Sequence, residues 1–283
     1  MAETAFQKQF RNEMIAAFEV GETLLRNTVT TEVVVKGNQA EFLVGGSTAG
    51  VATTRGTNGL IPADIDDVAQ TTVTLVEWHR LVKRTRFNIF ASQGDVRALM
   101  QRGVVKVLNR KIDSDIVAEL NTATNDTGTA VTASLQMAIH ALTILQNNDV
   151  PLDGDVTSLI TPAFHGYLSM VPEYASADYV SGRPTVNADM AWADKRKMKH
   201  WLGVNWLVHP DLPGATTSAE KCFMYHKDAI GHAMDMDGLN TAVGYDDEQD
   251  YSYARASGFF GTQLLQNSGV VVMNHDGSAF AAS

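Results

Sequence analysis

The chain has 283 residues, of which 45% are hydrophobic and 19% are charged, so it can bury a sizeable core and disorder throughout is excluded. Lysine and arginine total 22 against 32 aspartates and glutamates, and the net charge of −10 excludes a nucleic-acid-binding surface that covers the whole protein. The single cysteine excludes an internal disulfide and a cysteine-based zinc site, and no apolar run approaches the roughly 18 residues of a membrane span.

The first predicted element is an amphipathic N-terminal helix, because apolar residues recur three and four positions apart between Phe6 and Leu25. Two interpretations stay open for it: a helix that packs on the core of its own chain, or an arm that packs on a neighbouring subunit. The segment lacks the apolar core of a signal peptide, which indicates a soluble protein of a reducing cytosol.

An extended hairpin is predicted next. β-Branched residues favour a strand over Thr30–Val35, and a second outgoing strand follows at Ala40–Val44. The segment Gly45–Gly59 holds five glycines and almost no large apolar residue, so it cannot bury enough surface to order itself. Alternation over Thr71–Phe90 predicts a returning strand. The hairpin, roughly Gln39–Phe87, has too little apolar content for a core of its own.

The returning strand carries four bases within seven residues, which would repel each other on an exposed ribbon unless acids lay opposite. We therefore expect the hairpin to lie over an adjacent subunit. The residues expected to make this contact are Trp78, Arg80, Lys83, Arg84 and Arg86. The acids expected to lie opposite them are Asp64, Asp66, Asp67 and the cluster Asp246–Asp250.

The strongest periodic signal in the sequence predicts a helix over Asp95–Leu120. Ser92 or Asp95 can cap its N-terminus. A helix of this length is about 39 Å long. Its apolar residues recur every four positions, at Val96, Met100, Val104, Leu108, Ile112, Ile116 and Leu120.

The charges of this helix run against its macrodipole, since the bases come first and the acids last. Their placement therefore does not stabilise the isolated helix. Three interpretations stay open: a solvated face, a face turned towards packaged DNA, and a face that pairs with acids of a neighbouring subunit. The bases in question are Arg97, Arg102, Lys106, Arg110 and Lys111.

The C-terminal half predicts a mixture of helices and strands after a polar linker at Asn121–Ala130. The predicted helices are Ser134–Gln146 and Ala163–Met170. The predicted strands are Val156–Ile160, Met198–His209, Asp250–Leu265 and Gly269–Asn274. The region Lys221–Met234 has two interpretations, a long strand or a strand followed by a helix. Because helices and strands mix without a regular βαβ rhythm, the fold class is α+β.

No motif of the sequence predicts catalysis, a cofactor or a metal site. The segment Gly45–Gly50 lacks the lysine of a phosphate-binding loop, and Asp235–Gly238 fits a calcium loop at neither end. The acidic cluster Asp246–Asp250 is typical of a solvated turn, and the histidines stand apart from one another. Cys222 lies in an apolar setting that is typical of an inert thiol. We therefore expect no catalytic activity and no cofactor.

The order of the parts resembles the major capsid proteins of tailed bacteriophages, which have the Hong Kong 97-type fold. The parts are an N-terminal arm, an extended hairpin, a long helix, a compact mixed domain and a terminal strand. The resemblance covers nearly the whole chain, and five stretches carry it: KGNQAEFLVGG, GDVRALMQRGVVKVLNRKIDSDIVAEL, SLITPAFHGYLSMVPEY, GVNWLVHPDLPG and SGVVVMNHDG.

The resemblance implies a division of the chain into the domains of that fold. The implied ranges are 1–30 for the N-arm, 31–88 for the extended loop and its base strands, 89–130 for the peripheral domain with the spine helix, 131–220 for the axial domain, 221–265 for strands that return to the peripheral domain, and 266–283 for the terminal strand and tail.

The resemblance also implies a function, namely self-assembly into the icosahedral shell that encloses the double-stranded DNA of a tailed phage. The implied partners are other copies of the chain in pentamers and hexamers, a portal, packaged DNA held by non-specific contacts, and on some shells a decoration protein. A separate scaffolding protein is expected, because Met1 directly precedes the arm helix. Assembly is expected in the host cytoplasm without membrane contact, and the net charge of −10 would let packaged DNA slide.

Two other functions stay open on the sequence alone. A hydrolase or transferase would use Gly45–Gly59 as a lid, but the sequence supplies no convergent titratable residues for its site. A tail tube subunit would also self-assemble, but tube proteins are mostly β and the helix predicted over Asp95–Leu120 argues against one.

Overall fold

The computed structural model describes residues 23–34, 36–46, 52, 54–61, 67–91, 96–175 and 199–280. The predicted N-terminal helix lies outside these ranges except for its last residues. Leu24 and Leu25 are described, and they precede a 3-10 helix at Arg26–Thr28. Asp64 and Asp66, which are expected to contact a neighbouring subunit, also lie outside the described residues.

The described elements are numbered here in chain order. The helices are α1 (Arg86–Ala91), α2 (Val96–Leu120), α3 (Leu135–Asn147), α4 (Pro162–Ser169) and α5 (Pro172–Ala175). The strands are β1 (Thr30–Val34), β2 (Gln39–Gly46), β3 (Asp67–Thr74), β4 (Val76–Thr85), β5 (Val156–Ile160), β6 (Lys199–Trp201), β7 (Val204–Val208), β8 (Glu220–His226), β9 (Ile230–Asp235), β10 (Asn240–Asp246), β11 (Tyr251–Leu264) and β12 (Val270–His275).

Two five-stranded sheets organise the described part of the chain. The first sheet has the order β1-β9-β11-β10, and β4 pairs with the edge of β11 opposite to β10. The second sheet has the order β12-β8-β5-β7-β6. Strands β2 and β3 pair with each other in a separate hairpin. β1 lies parallel to β9 and β5 lies parallel to β7, whereas the other pairs are antiparallel.

The apolar stripe of the long helix α2 winds around the helix axis. All seven residues of the predicted stripe are buried, each 6% exposed or less. Four residues advance an α-helix by about 40° more than a full turn, so the six steps from Val96 to Leu120 rotate the stripe by about 240°. The two ends of α2 must therefore bury different faces.

The two halves of the stripe enter different apolar clusters. The N-terminal half, from Val96 to Leu108, clusters with Ala254 and Ala256 of β11 in the first sheet. The C-terminal half, from Ile112 to Leu120, joins the main core, in which α3 and α4 pack with strands of the second sheet and with β9 and β11 of the first. Helix α2 thereby joins the two sheets into one folded unit.

Several sequence predictions are confirmed by these elements. α2 begins one residue after the predicted start and ends at Leu120 as predicted. Helix α3 has Ser134 as its N-cap, since Ser134 Oγ accepts a hydrogen bond from the Met137 backbone nitrogen at 3.3 Å. Helix α4 likewise begins after the cap Thr161. Strands β5, β11 and β12 match the strands predicted for those regions.

The prediction of a single returning strand over Thr71–Phe90 is wrong. Strand β3 ends at Thr74, β4 begins at Val76, and the chain turns into helix α1 at Arg86. β3 returns in the hairpin, but β4 pairs along its whole length with β11 of the same chain. The hairpin therefore spans residues 39–74, not 39–87. The two adjacent apolar residues Leu75 and Val76 shift the phase of the alternation at the point where the chain changes its pairing partner.

Three further segments differ from the prediction. Met198–His209 is two strands, because Leu202 and Gly203 form a turn with φ of 55° and 75° between β6 and β7. Lys221–Met234 contains β8 and β9, which belong to different sheets, so neither interpretation of that region is correct. Strand β10 is not predicted, since its residues are mostly exposed and carry no apolar alternation.

The domain division implied by the resemblance cuts the second sheet. A boundary between residues 220 and 221 separates β8 from β5, with which it pairs, and also assigns β12 to a separate tail. The predicted linker Asn121–Ala130 is also tied to this sheet. The Thr127 nitrogen donates to the Val272 oxygen at 3.0 Å, and the Val272 nitrogen donates to the Asn125 oxygen at 2.8 Å.

Buried polar groups fasten the first described residues to the rest of the fold. Asp113 of α2 is 1% exposed, and its carboxylate accepts hydrogen bonds from the backbone nitrogens of Leu24 and Leu25 at 3.1–3.2 Å. The hydroxyl of Thr28 lies 2.6 Å from the hydroxyl of Tyr225 in β8, and burial raises the pKa of Tyr225. The chain that follows the arm is thus held on both α2 and the second sheet.

Replacing Asp113 with alanine should lower the free energy of unfolding by roughly 2–3 kcal/mol, because two buried amides lose their acceptor. Urea unfolding of purified free subunits measures this change. The control is Asp237→Ala at an exposed turn, which should change the free energy of unfolding by less than about 0.5 kcal/mol. Equal stability of the two variants would contradict the role given to Asp113.

His232 of β9 should make the stability of the subunit fall in mild acid. Its side chain is buried, its Nδ1 lies 3.0 Å from Thr262 Oγ1, and burial together with the charge of Arg26 lowers its pKa to about 4. Between pH 4 and the ordinary value of roughly 6.5, the unfolded chain binds a proton that the folded chain does not. The contribution of neutral His232 to the free energy of unfolding is therefore complete above pH 6.5. It falls by roughly 3 kcal/mol as the pH is lowered to 4.

Unfolding free energies measured across this pH range should show a shallower dependence for His232→Gln than for the wild type. His79→Gln, at an exposed histidine of β4, is the matched control and should keep the wild-type slope. A wild-type slope in the His232→Gln variant would show that another group causes the acid sensitivity.

Candidate functional site

The base of the hairpin packs on the first sheet of its own chain. Ala40, Phe42 and Val73 are buried in a cluster with Ala233 of β9. Gly261 of β11 permits this contact, because a Cβ atom at that position would collide with the carbonyl oxygen of Thr74. The base of the hairpin is therefore a fixed part of the subunit.

The distal part of the hairpin presents apolar side chains to solvent. Leu43 of β2 is 71% exposed and Val68 of β3 is 53% exposed, and Leu60 and Ile61 of the intervening segment are exposed to a similar extent. Nothing in the described part of the chain covers them. Contiguous exposed apolar side chains are typical of a surface that binds another protein.

Sequence reasoning did not single out these apolar residues, although one signal was present. Phe42, Leu43 and Val44 are three consecutive apolar residues in a strand. Since successive side chains of a strand point to opposite faces, such a run gives both faces an apolar residue. Phe42 is buried on the first sheet, so Leu43 necessarily lies on the opposite face.

The side chain of Trp78 has its partners within its own chain. Its ring stacks on Phe260 with centroids 6.3 Å apart, and the Lys111 Nζ atom of α2 lies 4.0 Å above it. It is partly buried against the cluster that joins α2 to the first sheet. The sequence places Trp78 at an interface between subunits, whereas the structure uses it between α2 and β4.

The bases of β4 and α1 fall into two groups. Lys83 Nζ lies 4.2 Å above the ring of Tyr251, and Arg86 follows β4 beside the acidic turn, where its backbone nitrogen donates to the backbone carbonyl oxygen of Asp250 at 3.2 Å. Arg80 and Arg84 are exposed, and they make no ion pair with any residue that the structure describes. These two arginines are therefore the part of the predicted basic strand that is available to a partner.

The acidic cluster Asp246–Asp250 faces bases of its own chain. It forms the turn between β10 and β11, next to Lys83 and Arg86. Hydrogen bonds from the Tyr251 hydroxyl and the Gln249 amide, aided by the charge of Lys83, lower the pKa of Asp246. The cluster thus has bases of its own chain nearby, and its contact with the basic strand of a neighbouring subunit stays a prediction.

Strand β4 is an edge strand of the first sheet. It pairs with β11 on one side, and no described strand pairs with its other side. Charged side chains on such an edge hinder indiscriminate pairing with other strands. Arg80 and Arg84 have this effect, and they also favour an acidic partner over a neutral one. Asp67 begins β3 at the distal end of the hairpin.

The bases of α2 are also divided by the structure. Lys111 is occupied, since its Nζ lies 2.6 Å from Asp115 as well as over Trp78. Arg102 is exposed, Lys106 and Arg110 are partly exposed, and none of the three has an ion-pair partner among the described residues. The side chain of Arg97 lies outside the described atoms. The predicted basic face is therefore reduced to a row of three.

Titratable groups in the described residues do not converge on a catalytic arrangement. Burial raises the pKa of Cys222 to about 12, so its thiol is unreactive at neutral pH. Glu220 and His275 form a buried pair with 2.8 Å between Oε2 and Nδ1, and Thr161 Oγ1 donates to the same oxygen at 2.6 Å. This network joins β8, β12 and the start of α4, so its role is to stabilise the fold. No group of three or more His, Cys, Asp or Glu residues in the described ranges is arranged to hold a metal ion.

The comparison with known protein families decides the identity of the fold. A family model described as phage capsid protein matches residues 2–277. The chain belongs to the phage capsid protein family. No curated protein matches it at a significant level. Among the helices that the structure describes, none is both long and apolar enough to cross a membrane.

Solved structures of low sequence identity share the fold of this capsid protein. A structure from Mycobacterium phage Che8 matches with a TM-score of 0.74 at 16% identity, over 96% of this chain and 98% of that chain. The cyanophage Pam1 capsid matches with a TM-score of 0.73 at 11% identity over 98% of each chain. The cyanophage P-SCSP1u capsid matches with a TM-score of 0.70 at 14% identity, over 96% of this chain and 93% of that chain.

These findings confirm the fold and the function class inferred from the sequence. The chain has the α+β fold of the Hong Kong 97 type, and it is a major capsid protein that forms the phage shell. It is accordingly a structural protein of the virion, in which copies of the chain assemble with one another.

Two adjacent hairpin residues should respond differently to truncation. Phe42→Ala should destabilise the free subunit by roughly 3 kcal/mol, because it empties the contact between hairpin and sheet. Leu43→Ala should leave the stability of the free subunit within about 0.5 kcal/mol of the wild type but reduce the yield of assembled shells. Denaturant unfolding measures the first effect and sedimentation the second. Wild-type shell yield in Leu43→Ala would show that the exposed hairpin face makes no assembly contact.

Proposed function

We propose that this capsid protein forms pentamers and hexamers that close into an icosahedral shell around double-stranded DNA. The observation that carries the proposal is the hairpin, whose base is fixed on its own subunit while its distal apolar residues remain uncovered. Burial of such apolar surface contributes about 25 cal/mol of favourable free energy for each Å², so contact with a second copy is favoured. In a closed shell every subunit has a neighbour that covers these residues.

The proposed contact places the distal hairpin of one subunit on β4 of the next. Arg80 and Arg84 are exposed on an edge strand, and no described residue forms an ion pair with them. The hairpin carries Asp64, Asp66 and Asp67 near its distal end. Each exposed ion pair contributes less than about 1 kcal/mol, but the contact recurs at every subunit of the shell. Charge complementarity thus supports this pairing, and Lys83 and Arg86 would contribute only weakly because acids of their own chain already lie beside them.

The proposed role is structural and includes no catalytic step. A scaffolding protein, a portal and a decoration protein are further proposed partners, with assembly in the host cytoplasm, and family membership is their only support. Packaged DNA is proposed to be held by non-specific contacts, which in general depend on salt and carry no sequence information.

Deleting Gly45–Gly59 tests the hairpin contact as a whole. The deletion should leave the circular dichroism spectrum of the subunit nearly unchanged, because the base of the hairpin holds its buried residues. Sedimentation should show a loss of shells or shells of lower thermal stability. Native-like shells of wild-type stability would remove the hairpin from its assigned role, and an unfolded subunit would show that the segment packs within its own domain.

A charge exchange tests the ionic part of the contact. Arg80→Glu combined with Arg84→Glu should reduce shell yield, because acids would then face acids. Adding Asp64→Lys, Asp66→Lys and Asp67→Lys to the same chain should restore assembly, since both surfaces are present in every subunit. The matched control is Lys83→Glu combined with Arg86→Glu, because these two bases lie beside the acidic turn between β10 and β11. The same three lysines should not restore the shell yield of this control.

A further inference from the structure

The distal hairpin carries the only asparagine–glycine pair of the sequence, Asn58–Gly59. The pair lies in a turn held by two hydrogen bonds: the Gly59 backbone nitrogen donates to the Gly56 carbonyl oxygen at 2.8 Å, and the Gly56 nitrogen donates to the Leu60 oxygen at 3.0 Å. Gly59 has a φ of 71°, which lies in the left-handed region that favours glycine. The turn therefore requires a glycine directly after Asn58.

The side chain of Asn58 is accessible and uncommitted. Residues 54–61 are all exposed, and the Asn58 amide makes no hydrogen bond with any residue that the structure describes. Gly59 has no Cβ atom, and no described atom lies within 4 Å of the place where a Cβ would stand. Nothing there hinders the approach of the Gly59 backbone nitrogen to the Asn58 Cγ atom. A nucleophile and an electrophile are thus adjacent at an exposed tip.

We propose that Asn58 is a site of self-modification, at which the backbone of the chain converts the side-chain amide into a carboxylate. The Gly59 nitrogen loses its proton to base in the solvent and attacks Asn58 Cγ. A bond forms between these two atoms, the bond from Cγ to the side-chain nitrogen breaks, and that nitrogen leaves as ammonia. Water then opens the five-membered imide at one of its two carbonyl carbons. The net reaction consumes one water, releases one ammonia and changes no oxidation state.

The two ring openings have different effects on the hairpin. Opening at Cγ gives an ordinary aspartate at position 58, whereas opening at the backbone carbonyl gives isoaspartate, whose main chain is one methylene longer. The longer main chain does not fit a turn held by two hydrogen bonds, so it displaces Leu60 and Ile61. These residues are 73% and 70% exposed, and they belong to the apolar surface proposed to contact a second copy. A subunit that carries isoaspartate therefore assembles less well.

The hydrogen bond of the Gly59 nitrogen makes the reaction depend on the state of the hairpin. This nitrogen can attack only while its bond to the Gly56 oxygen is open, and a single hydrogen bond in an exposed loop opens readily. A neighbouring copy packed on Leu60 and Ile61 keeps the turn closed. This step rests on the proposed function, in which a neighbour covers the distal hairpin. Asn58 therefore reacts in free subunits and is protected in shells.

The first test follows Asn58 in full-length free subunits that are incubated at mildly alkaline pH and then digested with trypsin. Peptide 56–80 contains Asn58 and peptide 37–55 contains Asn38, each as its only asparagine. Asn38 is exposed in the same part of the chain but precedes Gln39, so it is the matched control. Mass spectrometry should show loss of the amide several-fold faster at Asn58, with a rate that rises with pH. Equal rates at the two asparagines would overturn the site.

The second test compares the assembly of aged and fresh subunits. Aged wild-type subunits should give a several-fold lower shell yield, whereas aged Asn58→Gln subunits should assemble like fresh ones, since glutamine would have to close a six-membered ring. Asn38→Gln is the control and should age like the wild type. Fresh Asn58→Asp, which has the new charge on an ordinary backbone, should keep the wild-type yield. Equal losses in aged wild type and aged Asn58→Gln would overturn the effect on assembly, and a low yield of fresh Asn58→Asp would overturn the role of the longer main chain.

Assembled shells separate this inference from the proposed function. Asn58 should react several-fold more slowly in wild-type shells than in free subunits under the same conditions, and equal rates would overturn the protection. Subunits that modify Asn58 but never form closed shells would refute the proposed function and leave the site standing. Closed shells from subunits in which Asn58 reacts no faster than Asn38 would refute the site and leave the proposed function standing.

Discussion

The fold depends on a mismatch between the period of the apolar residues of α2 and the period of an α-helix. Apolar residues recur every four positions, and an α-helix turns every 3.6 residues, so the apolar stripe must wind around the helix. A straight helix with such a stripe cannot bury it on one flat sheet. The first half packs on Ala254 and Ala256 of the first sheet, and the second half enters the main core, which holds residues of both sheets. One helix thereby fixes two sheets relative to each other.

Buried polar contacts then attach further segments of the chain to α2 and the two sheets. Asp113 lies on the C-terminal half of α2 and holds the backbone of Leu24 and Leu25, so the end of the arm is attached to the same helix that joins the sheets. Glu220 pairs with His275 across β8 and β12, and it also accepts a hydrogen bond from the cap residue of α4. A buried carboxylate without such partners would cost several kcal/mol, so these contacts select one arrangement of the chain.

The surfaces that remain after this internal packing are the ones available for assembly. The hairpin is fixed at its base by Phe42, and no described residue covers Leu43 and Val68 beyond it, so a folded subunit can present these side chains to a neighbour. Some aromatic and charged side chains that the sequence suggested for an interface already have partners inside the subunit. Trp78, Lys111 and the turn Asp246–Asp250 all have partners within the chain, so a basic or aromatic residue in the sequence is not by itself an interface residue.

The sequence by itself determined the elements whose patterns are local and long. The stripe of α2, the helix α3 and the strand β11 follow from periodicity, and the order of the parts indicated the capsid family. Only the tertiary structure decided which partner each strand chose. β4 alternates like a hairpin strand but pairs with β11, and β10 is too exposed and polar to give an apolar pattern at all. Strand pairing depends on contacts between residues that are distant in the chain. Whether a basic side chain has an ion-pair partner likewise depends on which acid those contacts bring beside it. For that reason the row Arg102–Arg110 could be separated from Lys111 only in three dimensions.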